Sequence, residues 1–269
     1  MVTFPQRTFT LLVHAHAGRT QEIAADKPLN AELAEPVMDN RHERYLELQA
    51  ELEANAGFQY IQRRKVHERS LKVFGGNFRQ LAELVDLIQD PSYYFRQINN
   101  KKNEEFHSEV IRLFHNYLAA AKSLIDHTRS YVEKWHVNDE FNLKYQAQVK
   151  SSFIENNVSS VILDLRNYLM HRGFPPSTIR ETFPIGTDKP PEVKIAFRIS
   201  SLSDWKGWRS KSKGFMKSSG THFELKPLVA EYQNLVVSFY KWFGSELDDI
   251  HMAELEEFEN LKRKIIKFG

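Results

Sequence analysis

The chain has 269 residues, 41% of them hydrophobic and 12% aromatic, with 37 Lys and Arg set against 35 Asp and Glu for a formal net charge of +2. This composition supports a substantial core and excludes a largely disordered chain. The near-balanced charge excludes a uniformly basic surface, so affinity for nucleic acid has to come from local patches. The lack of cysteine excludes disulfides, thiolate catalysis and Cys-ligated zinc.

Residues 1–18 carry an apolar run at 9–13, interrupted by His14 and His16 and too short for a signal core or a membrane span. We therefore read a soluble, cytoplasmic protein without membrane contact. Residues 9–13 have the pattern of a strand, which sends His14 and His16 to one face, as in some metal sites. No convincing third ligand accompanies them, so a surface strand end is the plainer reading, and neither a metal nor another cofactor is assigned.

Residues 31–89 read as helix. Tyr45, Leu48 and Leu52 lie at helical spacing, as do Leu81, Leu84, Val85 and Ile88. Breaks are expected near Gly57 and at Gly75-Gly76, with a stop at Asp90-Pro91, because the residue before proline avoids the helical basin. We read residues 1–95 as a mostly helical N-terminal extension packed on a domain at 96–269. Arg63, Arg64, Lys65, His67, Arg69 and Lys72 form a basic stretch, taken as solvated helix surface in preference to an RNA-facing patch.

Residues 103–135 form the longest clean helix, with Phe106, Val110, Leu113, Phe114, Tyr117, Leu118, Ala121, Leu124, Ile125, Val132 and Trp135 as core residues at three-and-four spacing. His107, His115, His127 and His136 scatter around it, which suits surface or interface histidines and argues against a shared metal site. A further helix from Asn138 carries Phe141, Tyr145 and Val149 and leads through Phe153 to an amphipathic helix over 161–172. There Ile162, Leu165, Tyr168 and Leu169 share one arc, and Ser160, Asp164, Asn167 and His171 make a polar stripe on the other side. Gly173 and Pro175-Pro176 stop this helix. That leaves His171 and Arg172 in its last turn, near solvent or a partner.

Arg166-Asn167-Tyr168-Leu169-Met170-His171 resembles the Arg-Asn-x-x-x-His signature of the HEPN superfamily of nucleotide-binding helical domains, many of which are metal-independent ribonucleases. The resemblance implies a mainly α, HEPN-like antiparallel helical bundle. It also implies a homodimer in which the Arg, the following polar residue and the His of both copies meet in one cleft. It makes Arg166, Asn167 and His171 the catalytic candidates, RNA the substrate, and an antitoxin or regulatory protein a further partner, as in toxin and antiviral defence systems. The side-chain chemistry suits that activity. An imidazole moves protons near neutral pH, and a guanidinium places fixed positive charge on a crowded phosphate. An Arg and a His five apart also occur by chance on solvated helices. A non-catalytic module that binds a nucleotide, RNA or protein is therefore the second reading, and a purely structural protein the third.

Beyond Pro176, Val193, Ile195, Phe197 and Ile199 alternate with Lys194, Ala196, Arg198 and Ser200, the period of a strand. It belongs to a small β insertion at about 192–224, with residues 9–13 as a candidate partner strand. Residues 203–219 hold Lys206, Arg209, Lys211, Lys213 and Lys217 against one acid, Asp204, with Trp205 and Trp208 interleaved. Lys206, Arg209, Lys211 and Lys213 are the candidate RNA-binding residues, since cations and aromatics together attract phosphate and stack bases. The competing reading makes both tryptophans one buried edge and the lysines a solvated face. Residues 225–247 close the bundle with a broad apolar face, and 252–269 carry Leu255, Phe258, Leu261 and Ile265, a stripe that either docks on the bundle or extends a dimer interface.

Overall fold

Three-and-four apolar spacing folds most of the chain into helices. The computed structural model describes residues 35–268. Its helices are α1 (Glu35–Ala54), α2 (Ala56–Gln89), α3 (Pro91–Gln97), α4 (Asn100–Trp135), α5 (Glu140–Val149), α6 (Asn157–Arg172), α7 (Ser210–Ser218), α8 (Leu225–Ile250) and α9 (Met252–Phe268). The strands β1 (Ser177–Thr182), β2 (Glu192–Arg198) and β3 (His222–Glu224) make one antiparallel sheet in that order. No helix among the described residues is long and apolar enough to cross a membrane.

The chain divides into two units, Met1–Glu47 and Leu48–Gly269. Of the first, the structure describes the opening turns of α1, where Arg44 pairs with Glu47 at 2.7 Å. The strand expected at 9–13 and the His14/His16 pair lie outside the described residues. Residues 48–95 belong to the second unit, because Tyr60, Phe74, Leu81, Val85 and Ile88 of α2 are all buried in its core.

Local chemistry sets the helix ends. Asn55 separates α1 from α2, and its side chain accepts the Phe58 N–H at 3.1 Å. A Cβ on the neighbouring Gly57 would run into the Glu254 carbonyl, so glycine lets α2 approach α9 closely. Asp90 caps α3 by accepting the Ser92 N–H at 2.8 Å, with Pro91 in the first turn. The break expected at Gly75-Gly76 does not occur, and α2 runs through it. Both glycines face open space, while Phe74 and Leu81 on either side are fully buried, so packing outweighs the weak helix preference of glycine.

The main core joins α2, α4, α6, α8 and the sheet. Phe74 lies 5.2 Å from Tyr117, Phe114 lies 5.4 Å from Phe197, and Leu165 and Ile195 are both fully buried. Each such side chain contributes roughly 1.5–3 kcal/mol by leaving water. A second cluster gathers Tyr60, Tyr131, Val132, Phe141, Tyr145, Phe239, Phe243 and Leu247. Phe258 and Leu261 of α9 are buried, so much of the C-terminal stripe docks on the unit itself.

The sheet starts at Ser177, earlier than the expected insertion. β1 pairs with β2 from Ser177↔Phe197 to Thr182↔Glu192, and β3 pairs with β2 from Ala196↔Glu224 to Arg198↔His222. Val193, Ile195 and Phe197 are buried on the core side. By register Arg180, Lys194, Arg198 and His222 share the other face.

Candidate functional site

The helix carrying Arg166, Asn167 and His171 begins where the sequence permits it. A π turn at Lys150–Ile154 ends the run from α5, and Asn156 caps α6 by accepting the Ser159 N–H at 2.9 Å. Val158, Val161, Ile162, Leu165 and Leu169 are buried. At the far end Gly173 adopts φ 99°, a left-handed conformation that other residues resist, and α6 stops there.

The polar stripe splits in two. Its N-terminal half is locked inside, with Ser160 5% and Asp164 2% exposed. The Asp164 carboxylate accepts three hydrogen bonds, from the Arg209 backbone N–H at 2.9 Å, Arg209 Nε at 2.7 Å and Ser212 Oγ at 2.6 Å. Arg209 Nη2 also donates to the Ser160 carbonyl at 2.9 Å. These bonds clamp the start of α7 to the middle of α6. Sequence reasoning missed this clamp, because Asp164 and Arg209 lie far apart in the chain and neither carries a local sign of pairing.

The C-terminal half is open. Arg166 and Asn167 are half-buried, and Arg166 Nη1 donates to Asn167 Oδ1 at 3.3 Å. His171 is exposed in the last turn, beside Arg172. Met170 and Phe174, 57% and 58% exposed, add apolar surface there, and the Phe174 ring meets His115 edge-on at 5.9 Å.

Tyr168 seals the side of α6 between the two halves. Its ring stacks on Trp208 at 5.8 Å, meets Trp205 edge-on at 5.6 Å, and its hydroxyl donates to the Ser201 carbonyl at 3.4 Å. Trp208 is 4% exposed and donates through Nε1 to the Leu202 carbonyl at 2.7 Å. The tryptophans are thus packing residues in the approach to α7, and Trp208 is closed to base stacking.

The candidate RNA-binding cations divide similarly. Lys206 and Lys213 are exposed. Lys211 Nζ donates to the Ile154 carbonyl at 2.7 Å, and Arg209 is committed to Asp164. The segment therefore lies beside the Arg166–His171 helix, with two of its four candidate cations employed in holding it there.

The basic stretch on α2 is more engaged than a solvated face. Arg64 pairs with Asp248 and with Glu68, and Arg63 lies over the Trp135 ring at 4.3 Å. His67 Nε2 meets Thr128 Oγ1 at 2.9 Å, and Tyr240 OH meets the same oxygen at 2.5 Å. Thr128 gives its proton to the Leu124 carbonyl at 2.8 Å, so His67 and Tyr240 both donate to it. Burial first, and then the charges of His127 and Arg64, push His67 from 6.5 down to about 4.

The four histidines of α4 and its end scatter as expected. His107 bonds Ser177 at 2.7 Å, and burial lowers its pKa. His127 bonds Ser70 at 2.7 Å. His136 departs from the surface role read for it: it is 4% exposed, with Nδ1 on Asp139 Oδ2 at 2.7 Å. No group of three or more metal-ligating side chains occurs among the described residues.

The chain matches no family model, no curated protein and no solved structure. The reading of the site therefore rests on its own residues and on the signature they carry.

Proposed function

We propose that the chain is a HEPN-like ribonuclease that acts as a homodimer, with Arg166, Asn167 and His171 of both copies set around one RNA phosphate. The open end of α6 carries this reading: an exposed imidazole in the last turn, a guanidinium bonded to its neighbouring amide, and exposed Met170 and Phe174 beside them. At about 100° per residue, Arg166 and His171 stand roughly 140° apart around the helix. In a two-fold pairing the arginine of each copy meets the histidine of the other. The apolar surface at Met170 and Phe174 is what such a pairing covers.

In this mechanism one imidazole takes the proton of the ribose 2′-hydroxyl, and the oxygen attacks the adjacent phosphorus. The P–O5′ bond breaks, and the departing oxygen takes a proton from the second imidazole. The products are a 2′,3′-cyclic phosphate and a 5′-hydroxyl. Arg166 balances charge gathering on the non-bridging oxygens, and Asn167 holds the guanidinium in place. Such an enzyme fits a cytoplasmic toxin or defence effector restrained by an antitoxin or regulatory protein.

The test incubates the full chain with a structured RNA in excess chelator and examines the new ends. Cyclic phosphate termini are expected, and His171→Ala slows their formation by about 10²–10⁴-fold with the melting temperature nearly unchanged. Cleavage that needs added metal, that survives 2′-deoxy substitution at the cut site, or that persists in His171→Ala overturns the proposal.

A further inference from the structure

The outward face of the sheet carries a basic patch separate from the lysines that precede and line α7. Arg180 of β1, Arg198 of β2 and His222 of β3 share that face, with Arg198 directly opposite His222. Both arginines are exposed, and neither meets a carboxylate among the described residues. The nearby acids are engaged. Lys194 holds Glu192 at 3.3 Å and Glu224 at 3.2 Å, and Glu181 accepts the Tyr94 hydroxyl at 2.8 Å. Desolvation, followed by the charges of Arg180 and Arg198, lowers the His222 pKa, which places all three groups in one field. Two guanidinium groups left without a carboxylate on one face can each hold an anion through paired donors.

The chain runs from the open end of α6 directly into the sheet. β1 begins just past Arg172 and Gly173, and the turn after Arg198 delivers the Ser201 carbonyl to the Tyr168 hydroxyl of α6. Arg180 faces Lys194, four residues from Arg198 along β2, so the two arginines start about 13 Å apart along the strands. A single small phosphate does not span that distance, whereas a polymer of phosphates does.

Resting on the ribonuclease reading above, we infer that this face is the track for the RNA backbone: Arg180 and Arg198 each hold a phosphate, His222 supplies a third contact, and the strand continues toward His171. The segment at 206–213 is the weaker candidate, because Arg209 and Lys211 already serve the fold.

The test uses the full-length His171→Ala form, so that RNA is not consumed, and follows binding of a labelled single-stranded RNA by fluorescence anisotropy across a salt series. Arg180→Glu/Arg198→Glu in that background weakens binding tenfold or more, and it flattens the slope of log affinity against log salt by about 1.4, since each phosphate contact on a single strand contributes roughly 0.7. Should that pair melt early, Arg180→Gln/Arg198→Gln shows the same flattening with a smaller loss. The inference fails if neither pair changes the affinity, if Lys206→Glu/Lys213→Glu is the more damaging pair, if the His171→Ala form binds no RNA, or if it prefers phosphatidylserine vesicles to RNA. Wild-type cleavage is read separately. A chain that cuts RNA while the sheet variants bind normally loses only this inference, and one that binds through the sheet without cutting loses only the ribonuclease reading.

Discussion

The two halves of α6 present polar residues at one spacing and use them in opposite ways. Ser160 and Asp164 are buried and bonded to Arg209 and Ser212, while Asn167 and His171, further along the same stripe, are left half-buried and exposed. The difference comes from what lies opposite. The start of α7 covers the first half and brings a guanidinium and a hydroxyl with it, whereas nothing in the described chain bonds the His171 imidazole. A polar stripe is therefore a set of positions, and the packing partner decides which of them become structure.

The sharpest way to break this comparison is to cut the clamp. Arg209→Ala leaves Asp164 buried with two of its three hydrogen bonds, and stranding a buried charge costs several kcal/mol. Arg209 is itself half exposed, so water can enter, and a loss of about 3 kcal/mol in urea unfolding is expected. His171→Ala, at the other end of the stripe, should stay within about 0.5 kcal/mol, as for an ordinary surface change. Similar costs for the two variants would erase the distinction between the halves.

Much of this layout was legible in the sequence, and the illegible part has a common cause. The long helix with Val110, Phe114 and Leu118, the stop at Gly173 and the strand with Val193, Ile195 and Phe197 all follow from local periodicity and turn chemistry. The partner of Asp164 was hidden, because a carboxylate on a helix reads as solvated until a cation from a distant segment arrives. β1 was hidden too, since Ser177–Thr182 has a single large apolar residue, Ile179, and so no alternation to read. With β1 unseen, nothing in the sequence set Arg180 beside Arg198 on one face. At the site itself, Arg166 to His171 gave residue types and the face of the helix, while the Arg166–Asn167 hydrogen bond required coordinates.

Histidine offers a second contrast of the same kind, smaller in effect. His67 is held neutral, donating to Thr128, with its pKa pushed from 6.5 down to about 4, mainly by burial. Above pH 6.5 it is neutral in both folded and unfolded chains and adds no pH dependence. Between 6.5 and about 4 the unfolded chain takes up a proton that the folded one refuses, so stability falls as pH falls, by up to roughly 3 kcal/mol across the window. Urea midpoints at several pH values for the wild type and His67→Gln would measure this as the part of the slope that the variant loses. Retention of the full slope in His67→Gln would mean that the burial of this imidazole is not its source.

The smallest expected effect concerns backbone in place of charge. Gly75 lies inside α2 with open space where a Cβ would sit, so the helix there is maintained by its packed neighbours and not by the residue itself. Gly75→Ala should raise stability by about 0.5–1 kcal/mol, because alanine loses less backbone entropy on folding and meets nothing in the folded state. The gain would appear in the urea midpoint with an unchanged slope. A loss instead would mean that the glycines hold a backbone geometry there that alanine resists.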